Sequence, residues 1–218
     1  MTTITTTHNS GIAPARVHAL AQAERARYET ANPRSRSLAA RSAEHMMFGV
    51  PLHWMNDWAT PFPLHVAQAQ GARLVDVDGQ TRIDFCLGDT GAMFGHSPPA
   101  VTQALQRQAA RGLTTMLASE DAAAVSALLA ERFGLPRWQF AMTATDANRF
   151  VLRWLRAATG RRVLLVFNGC YHGTVDDVFV DLVDGRAVQR DSLLGQVHDL
   201  TATTRVVEFN DLAALEAA

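Results

Sequence analysis

The 218 residues carry 20 basic and 21 acidic side chains, a formal charge of -1, and 48% apolar residues. That balance suits one large or two small globular domains and offers neither the basic footprint that nucleic acid demands nor a polybasic membrane patch. No apolar run reaches the length of a membrane span and the opening MTTITTTHNSG lacks signal-peptide regions, so a soluble cytoplasmic protein is expected.

Residues 1–12 are polar and Thr-rich and are expected to form a disordered tail. Pro14 to Tyr28 reads as a helix with Val17, Leu20, Ala21 and Tyr28 at helical spacing, and Asn32-Pro33 ends it. A weaker helical stretch, Ser37 to Met47, leads to Gly49 and Pro51. The segment PLHWMNDWATPFP, residues 51–63, concentrates aromatic and polar side chains between prolines, as a packed lid or as the wall of a substrate pocket. Arg73 to Val77 and Arg82 to Cys86 alternate across Asp78-Gly79, which predicts a hairpin with a type I′ turn. Gly88, Gly91 and Gly95 make the following loop glycine-rich, for phosphate contact or for simple chain turning. His96 has no partner at metal-ligand spacing, and neither do Cys86 and Cys170, which are expected as free thiols.

Ser97 is expected to cap a helix from Pro98 to about Gly112, and Ser119 another from Glu120 to Phe133 with Val125, Leu128 and Leu129 inward. Gly134 and Pro136 stop the second. Trp138 to Met142 reads as a short apolar strand that opens through Thr143, Ala144 and Thr145 into a helix bearing Ala147, Val151, Trp154, Leu155 and Ala158 on one face. Small residues at a helix start leave its unpaired amides, at the positive end of the helix dipole, open to a phosphate. The threonine hydroxyls are further donors in that reading and plain N-caps in the other. Arg162 to Phe167 is a second apolar strand, and FNGCYHG follows it where open α/β sheets bind ligands. Asp184 to Thr203 shows no periodicity and reads as a surface loop, Arg205 to Phe209 as a last buried strand, and Asp211 to Ala218 as the start of a helix. The three apolar strands suit a parallel sheet, with fewer strands than such sheets contain.

The order of these pieces resembles the class III pyridoxal-phosphate-dependent aminotransferases, in the branch of glutamate-1-semialdehyde aminomutase and the β-amino-acid transaminases. The resemblance runs from about Pro61 to Ala218. It rests on GARLVDVDGQTRIDFCLGDTGAMFGHSPPAV, on TATDAN where the family has Ser-Gly-Thr-Glu-Ala-Asn, on ATGRRVLLVFNGCYHG and on VVEFNDLAALEA. It implies an α/β fold, that of a fold-type I transferase dependent on pyridoxal 5′-phosphate (PLP). The N-terminal helices, aromatic loop and small-domain hairpin would take residues 13–96, and the incomplete first part of the large, mostly parallel-sheet domain residues 97–218. It implies PLP as cofactor, an amino donor, an oxo-acid or aldehyde acceptor, and a homodimer of the complete enzyme. Thr143, Ala144 and Thr145 would hold the phosphate, Tyr171 would stack on the ring and His172 would support its loop. Trp54, Asn56 and Asp89 would lie toward the substrate.

Two departures stand out: Thr143-Ala144 replaces Ser-Gly, and Asp146 replaces Glu. A methyl on Ala144 crowds a phosphate approaching the backbone. All 20 basic residues are arginine, so the Schiff-base lysine is absent, and arginine cannot replace it because its guanidinium stays protonated. The sequence therefore reads as the N-terminal half of an aminotransferase. An aminomutase, a racemase or epimerase on the same scaffold, and an inactive fragment that only binds a partner chain remain alternatives.

Overall fold

The computed structural model describes residues 12–191 and 193–218, so nearly all of the tail expected over residues 1–12 lies outside the described residues. The chain divides into two compact units, one ending at Met116 and the other running from Leu117 to Ala218.

The first unit opens with α1 (Pro14–Ala31) and α2 (Pro33–Ala43). The second helix begins earlier than the Ser37 expected from its apolar spacing. Pro33 is the reason: it cannot continue α1, yet its fixed φ and missing N–H suit the first turn of α2. Three antiparallel strands follow, β1 (Val66–Gln70), β2 (Arg73–Asp76) and β3 (Thr81–Ile83), in the order β1-β2-β3. The hairpin between β2 and β3 forms where expected, but its turn is not type I′. Only Gly79 has positive φ, at 84°, and its N–H donates to the Asp76 carbonyl at 3.0 Å. This is a type I turn closed by a left-handed glycine, and it leaves Asp78 with an ordinary backbone whose carboxylate reaches the N–H groups of Arg34 and Ser35 at 2.7 and 3.0 Å. Asn32, Ser35 and Asp76 are buried around it. The Asp76 carboxylate accepts from the Gln80 N–H at 2.8 Å and from Arg82 Nε at 2.9 Å.

Ser97 does not cap α3 (Pro99–Ala109); its hydroxyl donates instead to the Ala69 carbonyl at 3.0 Å, and Pro98 takes the N-cap place. Ser119 likewise makes no side-chain cap for α4 (Asp121–Phe133), which opens the second unit with Glu120 as N-cap. In both cases the chain enters the helix one residue later than the serine; the Ser97 hydroxyl is spent on Ala69, and at Ser119 the Ala122 N–H donates to the serine's carbonyl at 3.1 Å rather than to its hydroxyl.

The second unit continues with α5 (Ala144–Thr159), β4 (Leu164–Phe167), β5 (Val180–Val183), β6 (Arg186–Gln189), β7 (Thr204–Val207) and α6 (Leu212–Ala217). Strands β4 and β7 pair in parallel from Leu164↔Thr204 to Phe167↔Val207, as their apolar sequences suggested. The stretch 138–142 is not a strand: a strand needs a ladder partner, and no described strand supplies one. Its Trp138 instead packs on Phe133, with ring centroids 5.5 Å apart, and donates to the Leu135 carbonyl.

The surface loop expected from Asp184 to Thr203 is corrected as well. Its first part is the hairpin β5–β6, and Asp184 and Gly185 have φ of 50° and 74°, the type I′ signature. Leu200 is 1% exposed and forms the core with Val180 and Val206, against which Val166, Leu182 and Leu193 pack. Neither α4 nor α5 buries a residue, and Leu128 and Trp154 are 65% and 76% exposed. Periodicity marks the face that a helix can bury, but burial needs a covering layer, and no described element covers these faces.

Candidate functional site

Helix α5 starts where the small residues put it. Thr143 is the N-cap in extended conformation, and its Oγ1 accepts from the Asp146 N–H at 3.0 Å while donating to the Asp146 carboxylate at 3.0 Å. That satisfies one first-turn amide. The N–H groups of Ala144 and Thr145 have no acceptor among the described residues.

The loop after β4 is fastened to this helix start. The Thr174 N–H donates to Thr145 Oγ1 at 3.0 Å, and Asn148 Nδ2 donates to the His172 carbonyl at 2.9 Å. Gly173 sits between these two bonds with φ of 82°. A Cβ there would lie 2.3 Å from Thr145 Oγ1 and 2.9 Å from Thr145 Cα, so the position takes only glycine. Tyr171 stands next to this joint with its side chain 72% exposed. The structure thus brings Thr143, Ala144, Thr145, Tyr171 and His172 together.

A phosphate-sized anion finds three donors here: the N–H groups of Ala144 and Thr145 and the Thr145 hydroxyl. That hydroxyl accepts from Thr174 and keeps its own proton to give. The Thr143 hydroxyl is committed to Asp146. These donors fit a phosphate-bearing group, and Tyr171 is exposed on the loop that meets them.

Trp54, Asn56 and Asp89 belong to the first unit. Trp54 and Asn56 lie on the short 3-10 turn His53–Asn56, where Trp54 packs against Trp58 with centroids 6.3 Å apart. Asp89 sits in the glycine-rich loop with φ of 49°, and its carboxylate accepts from Cys86 Sγ at 3.7 Å. Within that unit no hydrogen bond among the described residues joins Asp89 to Trp54 or Asn56. That loop is clasped at its base by His96 and Asp84, 2.6 Å apart, and by main-chain bonds between His96 and Gly71. The His96 bond, with the Leu87 and Cys86 N–H groups, holds the Asp84 carboxyl below the usual range. Both cysteines are free, as expected.

Asn148 closes the TATDAN motif, but the sequence assigned it no partner, and the Thr145–Thr174 bond has no signal in the sequence. Gly173 lay within a recognised motif, but nothing in the sequence says what it touches.

The family model for aminotransferase class-III matches residues 54–211, well over half of the chain. The chain belongs to the class III aminotransferases. Among relatives of this family, the glutamate-1-semialdehyde 2,1-aminomutase of Chloroflexus aurantiacus is 36% identical over 157 residues, covering 71% of this chain and 35% of that protein. A glutamate-1-semialdehyde-aminomutase from Pseudomonas aeruginosa PAO1 superposes with a TM-score of 0.87 at 51% identity, over 95% of this chain and 46% of that one. A β-phenylalanine aminotransferase from Variovorax paradoxus gives a TM-score of 0.75 at 27% identity, over 91% and 43%. The fold-type I α/β architecture expected from the sequence is that of these neighbours. The chain spans less than half the length of each of them. Among the described residues no helix is long and apolar enough to cross a membrane.

Proposed function

We propose that this class III chain supplies the phosphate cradle and ring platform for PLP in an aminotransferase or aminomutase. The observation that carries the reading is the joint between the α5 N-terminus and the Tyr171–Gly173 loop, closed by the contact of Gly173 on Thr145. It is supported by a structural neighbour, a lysine-to-alanine variant of the Pseudomonas aminomutase, described in complex with PMP, and by another described as a transaminase with PLP bound. The Ala144 and Thr145 amides and the Thr145 hydroxyl bind the phosphate. Tyr171 faces the ring, and His172 holds that loop through its carbonyl. When bound, the cofactor supplies an electron sink for charge developing next to a substrate amine. A lysine amine to hold the cofactor would have to come from outside these 218 residues, which contain no lysine. Trp54, Asn56 and Asp89 line the substrate side. The complete enzyme takes an amino donor and an oxo-acid or aldehyde acceptor, and works as a homodimer in the cytoplasm.

Titrating the chain with PLP by absorbance, followed by borohydride reduction and intact mass, tests this. Saturable binding is expected, with no stoichiometric covalent adduct other than at the N-terminal amine. Tyr171→Ala should lower affinity and shift the absorption band while leaving the melting temperature in place. Absence of saturable binding, or an adduct elsewhere, overturns the reading. The lysine-free sequence favours a second reading, a chain that pairs with a partner without catalysis. Sequencing the reading frame past Ala218 separates the two: an Asp followed by a Lys supports the enzyme, an immediate stop the pairing chain.

A further inference from the structure

Asn148 lies in the second turn of α5, is half-buried, and has no place in the phosphate cradle described above. Its carboxamide donates to the His172 carbonyl at 2.9 Å across 24 residues of sequence. The loop that this bond holds is anchored at two ends. At its start, Asn168 pairs with both main-chain groups of Leu182, accepting its N–H at 2.8 Å and donating to its carbonyl at 3.3 Å, and also donates to Glu208 at 2.8 Å. At its far end stand Asn148 on the His172 carbonyl and Thr145 on the Thr174 N–H. Only Gly169, Cys170 and Tyr171 lie between the anchors.

Tyr171 is 72% exposed and pairs with no other aromatic ring among the described residues, so the main chain that carries it does most to set its position. Two fixed points flank it: the Cys170 N–H, which donates to the Phe167 carbonyl at 3.3 Å, and the His172 carbonyl, which is the one held from α5. We propose that Asn148 is a positioning residue: by fixing the His172 carbonyl it sets the aromatic platform of Tyr171 beside the α5 N-terminus. Recognition of a ring then depends on Asn148, while recognition of a bare phosphate does not. The inference rests on the cofactor reading above and adds a division of labour to it. Thr145 serves both the anion and the loop, and Asn148 serves the loop alone.

The test uses the full chain, Asn148→Ala and Asn148→Asp, each titrated with PLP and separately with inorganic phosphate. For Asn148→Ala the PLP dissociation constant should rise about 3- to 10-fold, the scale of a lost hydrogen bond or aromatic contact, with a shifted absorption band. Inorganic phosphate affinity should stay within about twofold, since its donors are untouched. Asn148→Asp should be worse for PLP than Asn148→Ala, because it turns a carboxylate oxygen toward the His172 carbonyl. Amide exchange over residues 169–174 should quicken in both. Equal weakening of both ligands would reduce Asn148 to general support of the fold and overturn the proposal, as would unchanged PLP affinity. If the wild-type chain binds neither ligand, the cofactor reading fails by itself. Amide exchange over residues 169–174 then decides the clamp: faster exchange in Asn148→Ala supports it and unchanged exchange overturns it.

Discussion

At the N-terminus of α2 the amides of Arg34 and Ser35 donate to the Asp78 carboxylate at 2.7 and 3.0 Å, whereas at α5 the amides of Ala144 and Thr145 have no acceptor among the described residues. Both helix starts present the same positive end of a dipole and the same unpaired donors. In the first unit the chain brings its own anion, delivered by a hairpin tip 44 residues away. In the second, Thr143 satisfies only Asp146, and the loop packed against the helix contributes a glycine and a main-chain N–H but no anion. A helix N-terminus is thus not a site in itself. What distinguishes α5 is a neighbouring loop shaped around donors that remain free.

The largest effect is expected where the joint has no slack. Gly173→Ala puts a methyl into Thr145 and forces left-handed backbone on alanine, and should cost roughly 2–5 kcal/mol of stability in a urea melt along with the binding of PLP. A melt within error of wild type would show that the loop is not seated on α5. Thr145→Ala should weaken PLP about 10- to 100-fold, the value of a charge-assisted bond to phosphate, and should weaken inorganic phosphate too. An unchanged constant for both would make the α5 start as closed to anions as that of α2.

Asp78→Asn should lower the melting temperature of the first unit and leave PLP binding alone. Burial pushes the Asp78 carboxyl up, but the Arg34 and Ser35 amides outweigh it and hold the carboxyl below its usual value. A depressed carboxyl contributes stability above its unfolded pKa, near 4, and loses it as pH falls through the folded value. Wild-type stability should therefore drop below about pH 4, and Asp78→Asn should flatten part of that drop, with Asp84 keeping its own share. An identical pH profile in the variant would remove the built-in anion from the comparison. The smallest effect is expected for Ala144→Gly, which removes the methyl at the anion's approach against a helix-start cost under about 1 kcal/mol, so that PLP affinity holds or tightens slightly. A clear loss would mean that the Ala144 methyl is not in the anion's way.

The two Asp-Gly pairs show how far local chemistry could be read. Asp78-Gly79 and Asp184-Gly185 are the same dipeptide, yet only the second forms the type I′ turn. Strand pairing from Val183↔Arg186 leaves two residues to turn the chain at the second site, while at the first the Asp76 N–H bonds to the Gln80 carbonyl around three. Loop length and a distant helix end decided between them, and neither is visible in the dipeptide. The same limit applies to Ser97 and Ser119, which have the right chemistry for caps one position too early, and to residues 138–142, whose apolar sequence suits a strand that no described neighbour pairs.

By itself the sequence determined the order of the motifs, the family, the absence of lysine and the short-range structure: α5 with its Thr143 cap, the stop of α4 at Gly134, and the parallel partners β4 and β7. These rest on interactions within a few residues or on apolar content, which a linear pattern carries. Only the tertiary structure decided that Asn148 meets His172, that Gly173 presses on Thr145 and that Asp78 fills the start of α2. Those are contacts across tens of residues, with ångström tolerances, and they depend on the path of the intervening chain, which no local pattern of residue types encodes.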